Sequence, residues 1–317
     1  MNYAPQNRLP TLIEPLSALS LWLKISIVLL VSVVIKAQPT QPTWAVAMPV
    51  FAALVLVPIG LQLMSIEKTV FHSSKTVFNS HLVVAILLAV SFLFDQNLIA
   101  GCLALPYFLW CLVVLLRGLK VEFSLTYLMT LAAFGFLTNA AAWLVFDRFG
   151  YQPMGFSAWI VLLTGAHFHY AGFALTLSLA LLLRENPENK WAKIASCGVL
   201  SGVVLTATGI VTTQLGYSHF IETTAGVWMS AAAFLSGIAF LLRGLSEKSN
   251  ARFLFIIGAI CLLLAMVLAF FYALRTIIPL SFLTIPTMQA VHGTLNALGF
   301  GTLTLFGFAI TLHHKGT

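Results

Sequence analysis

Long apolar runs separated by short polar connections dominate the chain. A membrane-crossing helix needs about 20 mostly apolar residues. Ten runs fit that length, at approximately 16–35, 43–64, 77–94, 97–116, 123–146, 158–183, 193–214, 222–242, 252–273 and 286–312. The polar turn DQN at 95–97 predicts a hairpin between the third and fourth runs. The pattern predicts an all-α integral membrane protein with about ten transmembrane helices, forming a single bundle over residues 1–317 with no soluble domain.

Composition strengthens this prediction. Hydrophobic residues make up 60% of the chain and charged residues 8%, whereas soluble domains carry roughly 25% charged residues. Such a chain has too little polar surface to face water, so its main partner is the lipid bilayer. The net charge of +7 comes from basic residues between apolar runs. We interpret these residues as topology signals rather than contacts to nucleic acid, and expect no nucleic-acid partner.

The basic residues also predict an orientation. Twelve of the sixteen lie at the N-terminus, the C-terminus or the even-to-odd connections, and three lie in the other connections; Lys24 lies inside the first run. Lys and Arg concentrate on the cytoplasmic side of membrane proteins. We therefore expect both termini to be cytoplasmic, in a multi-pass protein of the bacterial inner (plasma) membrane.

Polar residues within the predicted helices share one depth range. The sixth run contains GAHFHYAGF, with His167 and His169 about ten residues from its outer end, and the tenth contains QAVHGTLNALGF, with His292 and Asn296 in its outer half. Other runs place Asn139, Thr213 and Glu222 in the same half. Ionisable residues inside a membrane are costly and are functional candidates by default. The sequence therefore predicts a polar site in the outer half of the bilayer.

Helical geometry predicts which residues face the site. At 100° per residue, Gln289, His292 and Asn296 share one face, and His167 shares a face with Tyr170. His167 and His169 are about 200° apart on an unbroken helix, which favours one facing a cavity while the other bonds a neighbouring helix. A metal held by both rings would require the helix to open. We interpret His81 as an isolated histidine near a cytoplasmic helix end.

Imidazole exchanges protons near neutral pH, so we predict acid/base catalysis. His167, His169 and His292 are the candidate catalytic residues, with Glu222 tuning or reprotonating an imidazole. The candidate substrate-binding residues are Asn139, Asn296, Gln289, Tyr170 and Thr213. The favoured function is an integral membrane enzyme, isomerase- or cyclase-like, that acts on a lipophilic, isoprenoid-like substrate. This chemistry needs no cofactor.

Two resemblances provide alternatives. At GAHFHYAGFAL and HGTLNALGFGTLTLFGF the sequence resembles the YndJ-like family of bacterial polytopic membrane proteins. Because some members are labelled transporters, the resemblance implies a membrane transporter, proton-coupled or not, as an alternative. AHFHY is also similar to a stretch of haem-copper oxidase subunit I, in which two histidines on one helix serve two haems. That similarity implies a redox alternative, with haem or a metal ion at His167, His169 or His292. The chain departs from the oxidase pattern, since its adjacent histidine pair, His313–His314, lies at the C-terminus.

Overall fold

The apolar runs form the predicted helices. A computed structural model describes residues 16–36, 43–66, 75–119 and 123–316. Within those ranges the helical passes, called spans 1 to 10 from here on, are Leu16–Lys36, Ala45–Met64, Lys75–Ser91, Leu98–Gly118, Leu125–Phe149, Ala158–Glu185, Lys190–Gln214, His219–Ser246, Ala251–Ala273 and Ile285–Leu312. Eight of them are long and apolar enough to cross a membrane. The prediction of an all-α membrane protein with about ten helices is confirmed.

The predicted orientation depends partly on Arg8, Lys68 and Lys120, which lie outside the described residues. It therefore stays a prediction, and "outer" and "inner" below follow it.

Three spans contain wide, π-helical turns. These turns occupy Ala52–Leu56 in span 2, Phe168–Ala174 in span 6, and Met288–Gly293 with Leu295–Thr302 in span 10. In each span a π-helical segment begins nine or ten residues after the helix starts: 43 to 52, 158 to 168 and 285 to 295. The segment of span 6 contacts that of span 2 and the second segment of span 10. Because π-helical turns often mark functional sites, this column of irregular helices is a natural place for one.

Span 6 is the centre of the bundle. Of its most apolar stretch, 83% is buried inside the protein, more than in any other candidate span of the described chain. Around it, spans 3, 4 and 5 pack as consecutive hairpins, and so do spans 7, 8 and 9. Each of these groups is followed by a span with π-helical turns, span 6 or span 10. The sequence shows no matching repeat, so this common plan is visible only in the structure.

A polar clasp closes the outer end of the hairpin of spans 3 and 4. The buried Asp147 pairs with Arg148 at 2.6 Å and accepts a hydrogen bond from Gln96 at 2.9 Å. The Arg148 guanidinium lies 4.2 Å from the centre of the Phe92 ring. The clasp pairs both charges within the protein, so the burial of Asp147 and Arg148 has a structural explanation.

Spans 7 and 8 approach most closely at Gly209. A Cβ atom added there would lie 2.6 Å from the Cα of Glu222. We expect Gly209→Ala to push the helices apart and lower the free energy of unfolding by about 1–3 kcal/mol. Gly135→Ala is the control, because a Cβ at Gly135 meets nothing within 4 Å. Thermal unfolding in detergent measures both variants, and equal melting temperatures would contradict the prediction.

A second clasp joins spans 6 and 8 at their inner ends. Arg243 contacts Glu185 and Glu247, each at 2.7 Å. Burial raises the pKa of Glu247, but hydrogen bonds from Ser249 and Arg243 outweigh it and lower the pKa to about 2 from 4.5. A lowered carboxyl pKa stabilises the fold above the unfolded value and loses that effect as pH falls toward the folded one.

We therefore expect Glu247→Gln to lower the melting temperature at pH 7, and the difference from the unsubstituted protein to shrink between pH 4.5 and 2. Melting curves in detergent across that range would test this. A difference that stays constant with pH would argue against the ion pair.

Candidate functional site

His169 is a buried member of a hydrogen-bonded pair. It is fully buried, and its Nδ1 lies 2.7 Å from the carbonyl oxygen of Gly165. Because a carbonyl only accepts, Nδ1 carries the hydrogen, and Nε2 then accepts from the Tyr107 hydroxyl at 3.1 Å. The two rings stack with their planes 16° apart. The structure thus buries His169 against span 4.

His167 points the other way. Its side chain is exposed on the bundle, and the helix changes from α- to π-helical geometry directly after it. The two histidines therefore face different directions, one accessible and one bonded to a neighbouring helix. Spans 6 and 10, which carry His167 and His292, contact each other through the segments Phe168–Ala174 and Leu295–Thr302.

The polar residues of span 10 form a short chain of hydrogen bonds. His292 Nδ1 donates to the Ala265 carbonyl of span 9 at 2.9 Å, and Nε2 accepts from the Asn296 amide at 3.0 Å. Gln289 accepts a hydrogen bond from the Trp159 indole of span 6 at 3.1 Å. Its side-chain nitrogen is buried and has no partner within the described part of the chain. Both ring nitrogens of His292 are therefore occupied, while Gln289 retains an unused donor.

Three further residues were predicted to bind substrate: Tyr170, Asn139 and Thr213. The buried Tyr170 donates to the Met48 carbonyl at 2.8 Å, which ties span 6 to span 2. Asn139 is half-buried and precedes Ala140, whose carbonyl oxygen lies 3.4 Å from a Cβ built on Gly165, so Asn139 shares the depth of Gly165. Thr213 has a buried hydroxyl without a partner among the described residues.

Glu222 has a different partner from the one predicted. It forms an ion pair with Arg275, and His219 Nδ1 lies 3.8 Å from its other oxygen. The Glu222 carboxylate lies in the first turn of span 8, at the interface. Arg275, just after the end of span 9, is close enough to pair with it. The structure therefore shows no contact between Glu222 and His167, His169 or His292, and an acid role for Glu222 has no geometric support.

Sequence reasoning interpreted His81 as an isolated histidine and did not single out Tyr107. His81 is fully buried, and neither of its ring nitrogens has a hydrogen-bond partner in the described residues. Its ring packs edge-on against Tyr107 and Trp110, with centroids 6.0 and 4.8 Å away. A single histidine near a helix end gave no signal, because its neighbours come from span 4. His81, Tyr107 and His169 are called the inner cluster below. His81 lies in the inner half of span 3, and Tyr107 and His169 lie near the middle of spans 4 and 6.

The haem or metal alternative fits this arrangement poorly. A metal ligand needs a free nitrogen lone pair, and hydrogen bonds occupy those of His169 and His292. No group of three or more potential metal ligands occurs within the described ranges. Only His167 offers a free nitrogen among the three predicted ligands, so binding at two of them would require hydrogen bonds to break.

Comparison with known proteins identifies the family. The model of the YndJ-like protein family matches residues 47–300, 254 of the 317 residues. The chain belongs to the YndJ-like family. It is also 25% identical over 175 residues to the membrane protein YndJ of Bacillus subtilis (strain 168). No solved structure matches the chain.

Membership of the YndJ-like family confirms the resemblance predicted from the two histidine-containing stretches. The chain is a multi-pass membrane protein, as the relative's name and the apolar helices indicate. The alignment covers 55% of the chain and 31% of the Bacillus relative, so the chain spans about a third of that relative. The range matched by the family model, residues 47–300, contains all the predicted site residues. The match assigns a role to none of them.

The Trp159–Gln289 bond joins the outer ends of spans 6 and 10. Trp159→Phe would leave the buried Gln289 oxygen without its donor, which costs about 1–3 kcal/mol of stability. Trp228→Phe is a matched control, since Trp228 donates to Ser201 at 3.0 Å at an exposed position. We expect the first variant to melt at a clearly lower temperature in detergent and the control to change little. Equal decreases in melting temperature for the two variants would show that the Trp159–Gln289 bond stabilises the protein no more than an exposed hydrogen bond does.

Proposed function

We propose that the chain is a membrane-embedded enzyme whose outer-half site performs acid/base chemistry on a lipophilic substrate. The reaction class is isomerisation or cyclisation of an isoprenoid-like molecule. The protein would act in the bacterial inner (plasma) membrane as a single bundle. The observation that carries the proposal is the exposed His167 within the depth of the hydrocarbon.

The depth of His167 determines what can reach it. The residue lies nine positions from the start of span 6, which is about 14 Å along a helix. The hydrocarbon core is about 30 Å thick, so an exposed side chain at this depth meets lipid rather than bulk water. A lipophilic molecule can approach it laterally, whereas a polar substrate would first have to cross the interface.

The remaining residues can be given roles from their contacts. A neutral His167 can remove a proton from an allylic carbon and return it to the far carbon of the double bond, which is the essential step of a double-bond isomerisation. The free amide nitrogen of Gln289 can donate to a substrate oxygen. Hydrogen bonds to Ala265 and Asn296 hold His292 in one orientation. Asn139, Tyr170 and Thr213 would line the substrate site, and none of them is given a chemical role.

A proton-coupled transporter is the second candidate. A transporter needs polar groups on both sides of its site, and the inner cluster supplies them on the inner side. Transporter sites also lie between repeated units at irregular helices, which agrees with the common plan of spans 3–6 and 7–10. A redox function has less support, because the candidate ligands are engaged in hydrogen bonds.

Deuterium exchange tests the enzyme proposal because it detects proton abstraction from any lipid, whichever one is the substrate. The protein is reconstituted into vesicles of total bacterial lipid extract in D₂O, and extracted lipids are analysed by mass spectrometry. Proton abstraction from carbon should introduce deuterium into one lipid class. We expect His167→Gln to slow labelling by about 100-fold, the lower range for loss of a general acid/base.

His219→Gln is the matched control, because His219 lies at the outer interface, with an exposed side chain. It should label lipid at the normal rate. Labelling no greater than in protein-free vesicles, or equal labelling with His167→Gln, would contradict acid/base catalysis at this site.

A further inference from the structure

Titratable side chains form a stepwise series through the bundle. His81 lies six residues from the inner start of span 3, Tyr107 eleven from the inner end of span 4, and His169 sixteen from the inner end of span 6. At 1.5 Å per residue these positions are about 9, 17 and 24 Å from the inner helix ends. His167 and His292, on spans 6 and 10, continue the series to about 27 and 30 Å.

Neighbouring members of the series are in contact or near each other. The Tyr107 hydroxyl donates to His169, and the Tyr107 ring centroid lies 6.0 Å from those of both His81 and His169. Tyr107 is therefore adjacent to two imidazoles, those of His81 and His169.

The free nitrogens of His81 indicate a missing partner. Buried polar atoms nearly always have a hydrogen-bond partner, either protein or water, yet both nitrogens of His81 lack one among the described residues. Tyr107 donates its only hydroxyl hydrogen to His169, so its oxygen can still accept. A buried water between His81 and Tyr107 would satisfy both groups, since such waters bridge otherwise unpaired polar atoms.

We propose that His81, Tyr107 and His169 form a proton relay through the middle of the bundle. A proton arriving on one nitrogen of His81 releases the proton from the other nitrogen to the bridging water. The water passes a proton to the Tyr107 oxygen, and Tyr107 gives its own hydroxyl proton to Nε2 of His169. One proton has then moved from His81 to His169, and Tyr107 is restored.

The outer end of the relay adjoins the π-helical segments. His169 lies in the segment Phe168–Ala174 of span 6, and His167 immediately precedes that segment. His292 lies in the first π-helical segment of span 10. π-helical turns often mark functional sites. Chains of ionisable residues inside membranes commonly serve as proton relays.

Proton conduction is measured with the full chain in liposomes that contain the pH-sensitive dye pyranine. A potassium gradient with valinomycin makes the interior negative and draws protons inward. We expect the protein to acidify the interior faster than protein-free liposomes. Tyr107→Phe keeps the stacked ring but removes the hydroxyl, and should slow conduction about tenfold, equivalent to about 1.4 kcal/mol in barrier height.

Two further variants separate conduction from folding. His81→Leu removes two unpaired buried polar atoms, so it should melt at the same or a higher temperature while conduction falls. Tyr127→Phe is the matched control, since the buried Tyr127 donates to the Gly118 carbonyl at 3.0 Å outside the series, and it should conduct normally. Conduction equal to protein-free liposomes, or unchanged by Tyr107→Phe and His81→Leu, would overturn the relay.

The proton relay and the proposed enzyme activity can fail separately. Deuterium labelling of lipid without proton conduction would retain the acid/base site and exclude the relay. Conduction that depends on Tyr107, without labelling, would retain the relay and favour the proton-coupled transporter.

Discussion

The hydrocarbon interior offers no water to a polar group, and this constraint organises the whole bundle. Each polar group in a span has to find a partner within the protein, or remain unpaired at a cost. His169, His292 and Tyr170 obey the constraint through hydrogen bonds to neighbouring spans. Their bonds connect span 6 with spans 2 and 4, and span 10 with span 9. Polar side chains thus act as ties between helices whose surfaces are otherwise apolar.

Against that background, the exceptions are informative. His167 is exposed, Gln289 has an unused amide nitrogen, and His81 has no hydrogen-bond partner within the described chain. A bundle selected only for stability would replace these residues by apolar ones of similar volume. All three lie in or beside spans that contact the π-helical column, so the unsatisfied groups and the irregular backbone coincide. Such coincidence is typical of sites where stability is given up for function.

Much of the fold follows directly from the sequence. Within the described residues, the ten apolar runs form ten helices with ends displaced by a few residues, because a bilayer imposes both the length and the composition of a spanning helix. The opposite facing of His167 and His169 was also predictable, since two residues on a helix are separated by about 200°. The family, too, could be inferred from two short stretches that contain the histidines.

The contacts of the site could not be predicted in the same way. An angular prediction assumes 100° per residue, and the π-helical turns in spans 6 and 10 change that angle where the polar residues lie. The partners of His81 and His169 come from span 4, and nothing in the apolar sequence around Tyr107 indicates which span it faces. Glu222 illustrates the same limit, because the position of Arg275 beside it depends on how spans 8 and 9 pack.

Span 6 therefore separates two polar regions of different character. On one face of span 6, His167 is accessible and makes no hydrogen bond described above, which suits a group that meets a substrate. On the opposite face, which packs against span 4, His169 and Tyr107 are buried and hydrogen-bonded to each other. Such groups can hold geometry or pass protons but cannot contact a substrate. An enzyme requires only the first region, and the second would then be a costly way to pack spans 3, 4 and 6. The inner cluster is thus the stronger argument that the bundle moves protons.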